Sequence, residues 1–121
     1  MSDRSAPATR QRRQRPLSVN DRRIPSRTRQ GLTRIEVAGL HAQQQGLCAV
    51  GGEPLPARFV VDHDHGLGAA HGHDPKVGCR ACVRGLVCYR HNKALGLFRD
   101  NAEALARASI YVTWRRARAS A

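Results

Sequence analysis

Aromatic side chains are scarce in this chain: two Phe, two Tyr and one Trp among 121 residues. A large core is excluded, and a small domain with so thin a core needs staples such as metals or disulfides. No apolar run reaches the roughly 20 residues of a membrane helix. The N-terminus also lacks the apolar segment of a secretory signal. These absences point to a reducing cytoplasm, where four cysteines and six histidines serve metal binding rather than disulfides. Acidic residues are few as well, nine against 21 Lys and Arg, for a net charge of +12. That excess implies a polyanionic partner, DNA first, because phosphate contacts release counterions. A membrane surface would need an amphipathic helix or an anchor, and neither is visible.

The charge is unevenly spread. Residues 1–30 hold nine Arg and two Asp, so this arm carries +7 of the total. Pro7, Pro16 and Pro25 interrupt it, and it has too few apolar residues to offset its ordering entropy, so a disordered DNA-binding or solubilising arm is expected. Its arginine content also fits a mitochondrial presequence, against which Asp3 and Asp21 weigh. A domain over 31–116 and a short tail over 117–121 follow. The pattern predicts a helix over 33–45, with Thr33 and Glu36 as a capping box, Ile35, Val37 and Leu40 as its apolar stripe, His41 on its surface and Gly46 as its terminator. A knuckle-like turn spans 47–56, and a strand 57–62. A glycine-rich loop fills 66–82, and a second strand is predicted over 83–88. Helices follow over 89–97 and 101–116, the last opened by Asp100 and Glu103, with Leu105, Ala108 and Val112 on one face and Tyr111 and Trp114 packing.

The densest chemistry lies in Val60-Val61-Asp62-His63-Asp64-His65, two carboxylates and two imidazoles directly after an apolar strand. Cys88-Tyr89-Arg90-His91-Asn92 supplies a second group. Asp62 and Asn92 offer oxygen to a hard cation, and an imidazole such as His63 can accept a proton from water near neutral pH. Strand alternation would separate Asp62 from His63, but at a strand end, where the backbone turns, both can face one cleft. Cys88 and His91 have zinc-ligand spacing, and Cys48 is a third donor. The position three residues after Cys48 is Gly51, which cannot ligate, so the fourth ligand is a donor from elsewhere or water, or the site is lost. Cys79 and Cys82 form a C-x2-C pair with His71 and His73 just before it. These four either make a second site or lend a cysteine to the first. Arg84 is a candidate for a phosphate contact.

At these residues the chain resembles the recombination endonuclease VII family, a branch of the HNH, ββα-metal (His-Me finger) nucleases common in phages. The likeness rests on Leu47-Cys48-Ala49-Val50, Val61-Asp62-His63-Asp64-His65, Val83-Arg84-Gly85-Leu86-Val87-Cys88 and Asn92-Lys93-Ala94-Leu95-Gly96, over roughly residues 32–114. It also takes in Leu32-Thr33 and Gln44 or Gln45. The resemblance implies a small zinc-stabilised α+β domain of the ββα-metal kind. It implies an enzyme that cuts DNA phosphodiesters, branched and Holliday-junction DNA included, leaving 5′-phosphate and 3′-hydroxyl ends. Asp62 and Asn92 would hold a catalytic Mg2+, His63 would be the general base, His65 would orient the scissile phosphate, and Cys48, Cys88 and His91 would hold structural Zn2+. The setting would be a bacterial cytoplasm, and the protein of phage or prophage origin. Junction-resolving members form an intertwined homodimer through an extended C-terminal region, whereas this chain ends soon after Trp114.

The competing expectation is a non-catalytic zinc-knuckle DNA-binding protein, which would keep Cys48, Cys88, His91 and the basic arm but would have no use for Asp62, His63 and Asn92. A basic structural RNA-binding protein is more remote, because single-stranded RNA readers stack bases on aromatic side chains, which are few here.

Overall fold

A computed structural model describes residues 15–72, 74 and 77–120. Helix α1 spans Arg34–Gln43, strand β1 Val60–His63, helix α2 His65–Ala70, strand β2 Val83–Val87, helix α3 Tyr89–Leu97 and helix α4 Ala102–Ser120; a single 3-10 turn, Arg80–Cys82, leads into β2. This is a small mixed α and β architecture with one antiparallel two-stranded sheet.

The α1 boundaries follow from its caps. Thr33 accepts from the Glu36 amide while Glu36 reaches back to the Thr33 amide, closing the expected capping box. At the other end Gln45 and Gly46 take positive φ of 55° and 71°, which stops the helix. Its buried face is Val37 with His41, and Leu40 packs partly buried against the core, so the expected stripe fails at Ile35 alone. Ile35 is 73% exposed, and His41, expected on the surface, lies buried against the Phe59 ring. Burial holds the His41 pKa below the ordinary imidazole value.

The core gathers Ile24, Leu32, Val37, Cys48, Leu55, Leu86, Val87 and Cys88. Ile24 falls within the arm expected to be disordered. Over residues 15–30 that expectation gives way, because Leu17 and Ile24 supply apolar anchors and Arg34 Nε donates to the Ile24 carbonyl at 2.8 Å. Strand β1 starts three residues later than expected, and the glycine-rich 66–82 segment contains α2 and the 3-10 turn instead of being loop throughout. Helix α4 is capped by Asn101, whose Oδ1 accepts from Ala104, not by Asp100. It absorbs the supposed tail as far as Ser120. Its apolar face is thinly covered: Leu105 and Ala108 are half-buried, while Val112, Tyr111 and Trp114 are exposed. Trp114 receives the Arg118 guanidinium 4.8 Å from its ring centre instead of packing inside.

A two-stranded ribbon is marginal alone, so the free edge of β2 has to be closed. Gln44 does this with its side chain: Oε1 accepts from the Leu86 amide and Nε2 donates to the Leu86 carbonyl, both at 2.8 Å. The Ala49 amide donates to the same carbonyl at 3.1 Å. Gly85 leaves room for this, because a Cβ there would lie 2.9 Å from Gln44 Oε1. Gln44→Ala strands the Leu86 amide of a fully buried residue and leaves its carbonyl the Ala49 donor alone, and should lower stability by about 2 kcal/mol. Ile35→Ala should change it by less than about 0.5 kcal/mol. Urea unfolding midpoints of the two variants check both values.

Candidate functional site

Strand β1 pairs Val60 with Val87, Val61 with Leu86, Asp62 with Gly85, and then His63 with Val83, so the register slips between Asp62 and His63. A bulge of this kind breaks side-chain alternation and re-aims the residues beside it. Asp62 and His63 are both buried, at 7% and 9% exposure, and both line one cavity of about 940 Å³. His65 and Asn92 line it too, Asn92 from the first turns of α3. The rings of His63 and His65 stack with centroids 4.7 Å apart. Four residues expected to act together therefore meet at one cleft.

Part of the cleft comes from residues that sequence reasoning passed over. Arg22, Arg23, Arg29 and Arg58 line the same cavity. Three of these belong to the supposed arm, so the charge signal was legible but its folding was not. Arg23 is held by Asp21 through contacts of 2.6–3.2 Å, which bring the Asp21 carboxyl down to about 2. Gln30 is a further surprise, with Nε2 placed 3.4 Å from His63 Nδ1. Amide oxygen and nitrogen are interchangeable by a flip, and the oxygen facing an Nδ1–H would leave the Nε2 lone pair for a proton.

Arg84 is not a free phosphate contact. Its Nε donates to Asp62 Oδ2 at 2.8 Å and its Nη2 to Asp62 Oδ1 at 3.1 Å, with Asp100 Oδ1 at 3.3 Å. The hydrogen bonds it donates to Asp62 raise the Arg84 pKa. The positive φ of Arg99 and Asp100 bends the chain between α3 and α4 and carries Asp100 to this position.

Two clusters of soft donors flank β2. In the first, Cys48, Cys88, His91 and Glu53 place their donor atoms within 4.8 Å of one another. His91 Nδ1 lies 3.0 Å from Cys88 Sγ, 3.7 Å from Cys48 Sγ and 2.8 Å from Glu53 Oε1. A tetrahedral zinc spaces its donors by about 3.3–3.8 Å, given Zn–S near 2.3 Å and Zn–N near 2.0 Å. Burial alone would raise the Cys48 thiol, but amide donors from Gly51, Cys88 and Val50 outweigh it and hold the pKa below the ordinary value. Glu53 is a candidate fourth donor that the sequence did not reveal. The turn after Cys48, closed by Cys48 N to Glu53 O at 2.7 Å, brings it alongside. Its Oε1 is buried and, despite the nearby imidazole nitrogen, has no hydrogen bond aligned on it. A Cβ at Gly51 would fall 1.9 Å from Glu53 Oε2 and 2.2 Å from His91 Cε1. The missing ligand at 51 and the carboxylate at 53 thus compete for one space.

In the second cluster His71 Nδ1 lies 3.4 Å from Cys79 Sγ and 3.3 Å from Cys82 Sγ, and the sulfurs are 3.1 Å apart. Hydrogen bonds with Cys82 and His71 bring the Cys79 thiol down to about 7. Neither cysteine of this pair completes the first cluster. His73, the remaining expected ligand, lies outside the described residues.

The site thus defines a basic protein with two Cys/His clusters beside a cleft of Asp, His and Asn. The chain belongs to the recombination endonuclease VII family, whose model matches residues 22–114. No curated protein and no solved structure matches it. Among the described residues no helix is long and apolar enough to cross a membrane.

Removing Arg84 leaves the buried Asp62 carboxylate without its guanidinium. Arg84→Ala should destabilise the fold by about 2 kcal/mol, below the usual range for a buried pair because Arg84 is one-third exposed. The double variant Asp62→Asn/Arg84→Ala should recover part of that loss, and a double-mutant cycle on unfolding free energies measures the recovery.

Proposed function

We propose that this chain is a metal-dependent DNA endonuclease with a ββα-metal site, built on the β1–β2–α3 succession. The observation that carries the reading is the meeting of Asp62, His63, His65 and Asn92 on one arginine-lined cleft. Asp62 and Asn92 would hold a hard divalent cation, Mg2+ being the fitting choice for two oxygen donors. A carboxylate has about four lone-pair sites, so the two bonds from Arg84 leave donor capacity for a cation. When bound, such an ion would offset the negative charge that builds on the phosphorane and the leaving oxygen.

The remaining chemistry belongs to the chain itself. His63 takes the proton of the attacking water, with Gln30 fixing its ring. His65, exposed and stacked on His63, orients the scissile phosphate. Arg22, Arg29 and Arg58 bind the neighbouring phosphates, which moves the substrate role away from Arg84. Arg84 instead fixes the Asp62 carboxylate. Cys48, Glu53, Cys88 and His91 hold structural zinc, the orphaned Glu53 oxygen being the sign that this donor set fits a metal. Branched DNA is the substrate class that the family name supports.

The rival is a DNA-binding protein without catalysis, and the Arg84 pair occupying Asp62 is the observation in its favour. A labelled four-way junction and a matched linear duplex, incubated with Mg2+ or with EDTA, separate the two. Cutting that needs Mg2+ and disappears in His63→Ala is the expected result, and the junction-to-duplex ratio measures selectivity. Tight binding with no cutting of either substrate by metal-replete folded protein would establish the rival.

DNA affinity should fall steeply with salt. Each of Arg22→Ala, Arg29→Ala and Arg58→Ala should shallow the log–log salt slope by about 1. Fluorescence anisotropy across a salt series reads this directly.

For the zinc knuckle, Glu53→Ala should weaken zinc retention by about 10- to 100-fold. Gly51→Cys in the same background should restore it only in part, because the carboxylate is gone but the His91 ring, 2.2 Å from the new Cβ, must still shift to admit the thiol. Competition with a chromogenic chelator measures both proteins.

A further inference from the structure

We propose that His71, Cys79 and Cys82 form a second site for a soft divalent ion, zinc being the fitting one, and that the bound ion clamps the 78–82 turn onto the imidazole of His63. The clamp rests on the reading of His63 as the base; the metal site does not.

Three donors from two separate turns converge on one point. A dithiol that served only to form a disulfide would need no imidazole, yet His71 Nδ1 sits nearly equidistant from both sulfurs, at 3.4 and 3.3 Å. The pair is reduced, and the 3-10 turn places Cys82 three residues after Cys79 with its amide bonded to the Cys79 carbonyl. Two thiolates and an imidazole select a soft or borderline ion. Among the described residues no carboxylate or further histidine joins the group, so these residues supply three donors. The turn over 77–82 has little else to order it, since Cys82 is its sole fully buried side chain.

The link to His63 is direct. Gly78, one residue before Cys79, lies with its backbone against the ring: a Cβ there would come 2.7 Å from His63 Cδ2 and 3.0 Å from Cγ. The Asp64 amide donates to the Cys82 carbonyl at 2.8 Å, and the next residue, Val83, is the strand partner of His63. The cluster therefore grips the base from its ring face and from its chain neighbour. Arg80, between the two cysteines, anchors the turn to α1 through Glu36.

The test uses the full chain, loaded with zinc and freed of loosely held metal. Atomic emission should find about two equivalents in the parent and about one in Cys79→Ser/Cys82→Ser. Equal content in the two proteins overturns the site. A second measurement on the parent avoids any folding defect of the variant. Under graded chelation the exposed three-donor site should release its ion before the four-donor knuckle. Hydrogen exchange of the Asp64 amide should accelerate at that first release, and unchanged exchange overturns the clamp. In cleavage assays the double variant and Gly78→Ala should both lose about tenfold in kcat with a shifted pH–rate profile and little change in KM. A change confined to KM overturns the positioning role. Failure of every form to cut DNA would remove the nuclease reading alone, because zinc content and amide exchange still report on the site.

Discussion

The fold depends on how a two-stranded ribbon is held at both ends. Strand β2 runs from Val83 to Val87, with Cys82 immediately before it and Cys88 immediately after. Each of these cysteines is buried and each belongs to a cluster of soft donors. A ribbon of this size cannot bury enough apolar surface to stand alone. The side-chain pairing of Gln44 closes its outer edge, and the cysteine clusters tie down the turns that enter and leave it. This division of labour explains how a chain with five aromatic residues keeps two ionisable side chains, Asp62 and His63, buried at the end of β1.

Electrostatics set the second constraint. Asp62 is largely removed from water in a strongly cationic protein, and a lone buried carboxylate would be costly. Arg84 meets it with two aligned hydrogen bonds and passes its remaining reach to Asp100. The resulting chain of charges spans β1, β2 and the bend before α4. It fixes the carboxylate while the exposed arginines Arg22, Arg29 and Arg58 stand at the cleft. Local neutrality at the carboxylate and net positive charge around it are both needed, the first for burial and the second for a polyanionic ligand.

Much of this was legible in the sequence. The capping box of Thr33 and Glu36 and helix 89–97 follow from local patterns of caps and helix period, whereas Asp62, His63 and Asn92 group by their donor chemistry and His65 by the family resemblance. The contacts that escaped are those set by tertiary partners. Ile35 stays outside the core and His41 enters it beside Val37 because the side of α1 that is covered depends on where Phe59 and β2 lie. The arm from Leu17 to Gln30 reads as disordered by composition, yet two apolar residues are enough when a finished domain receives them. Gln30 and Arg29 then reach the cleft through folding of a segment whose own sequence predicts none. Glu53 carried no ligand signature, since a lone Glu after two glycines reads as a turn residue.

Gly51 shows why spacing rules alone misjudge such a site. Judged by spacing, a glycine where a thiol is expected leaves the first cluster one donor short. In the fold, the absent side chain is what admits another: the space a Cβ would take at 51 is filled by the Glu53 carboxylate and the His91 ring. The carboxylate two residues along the same turn has the formal charge of a thiolate and a harder donor atom. The register slip after Asp62 obeys the same logic in the strand. One irregular step in the ladder, costly by local rules, turns the side chains of Asp62 and His63 to a single cleft that regular alternation would have divided between two faces. In both places the departure from the local rule sits where donor atoms must converge, and the departure supplies the convergence.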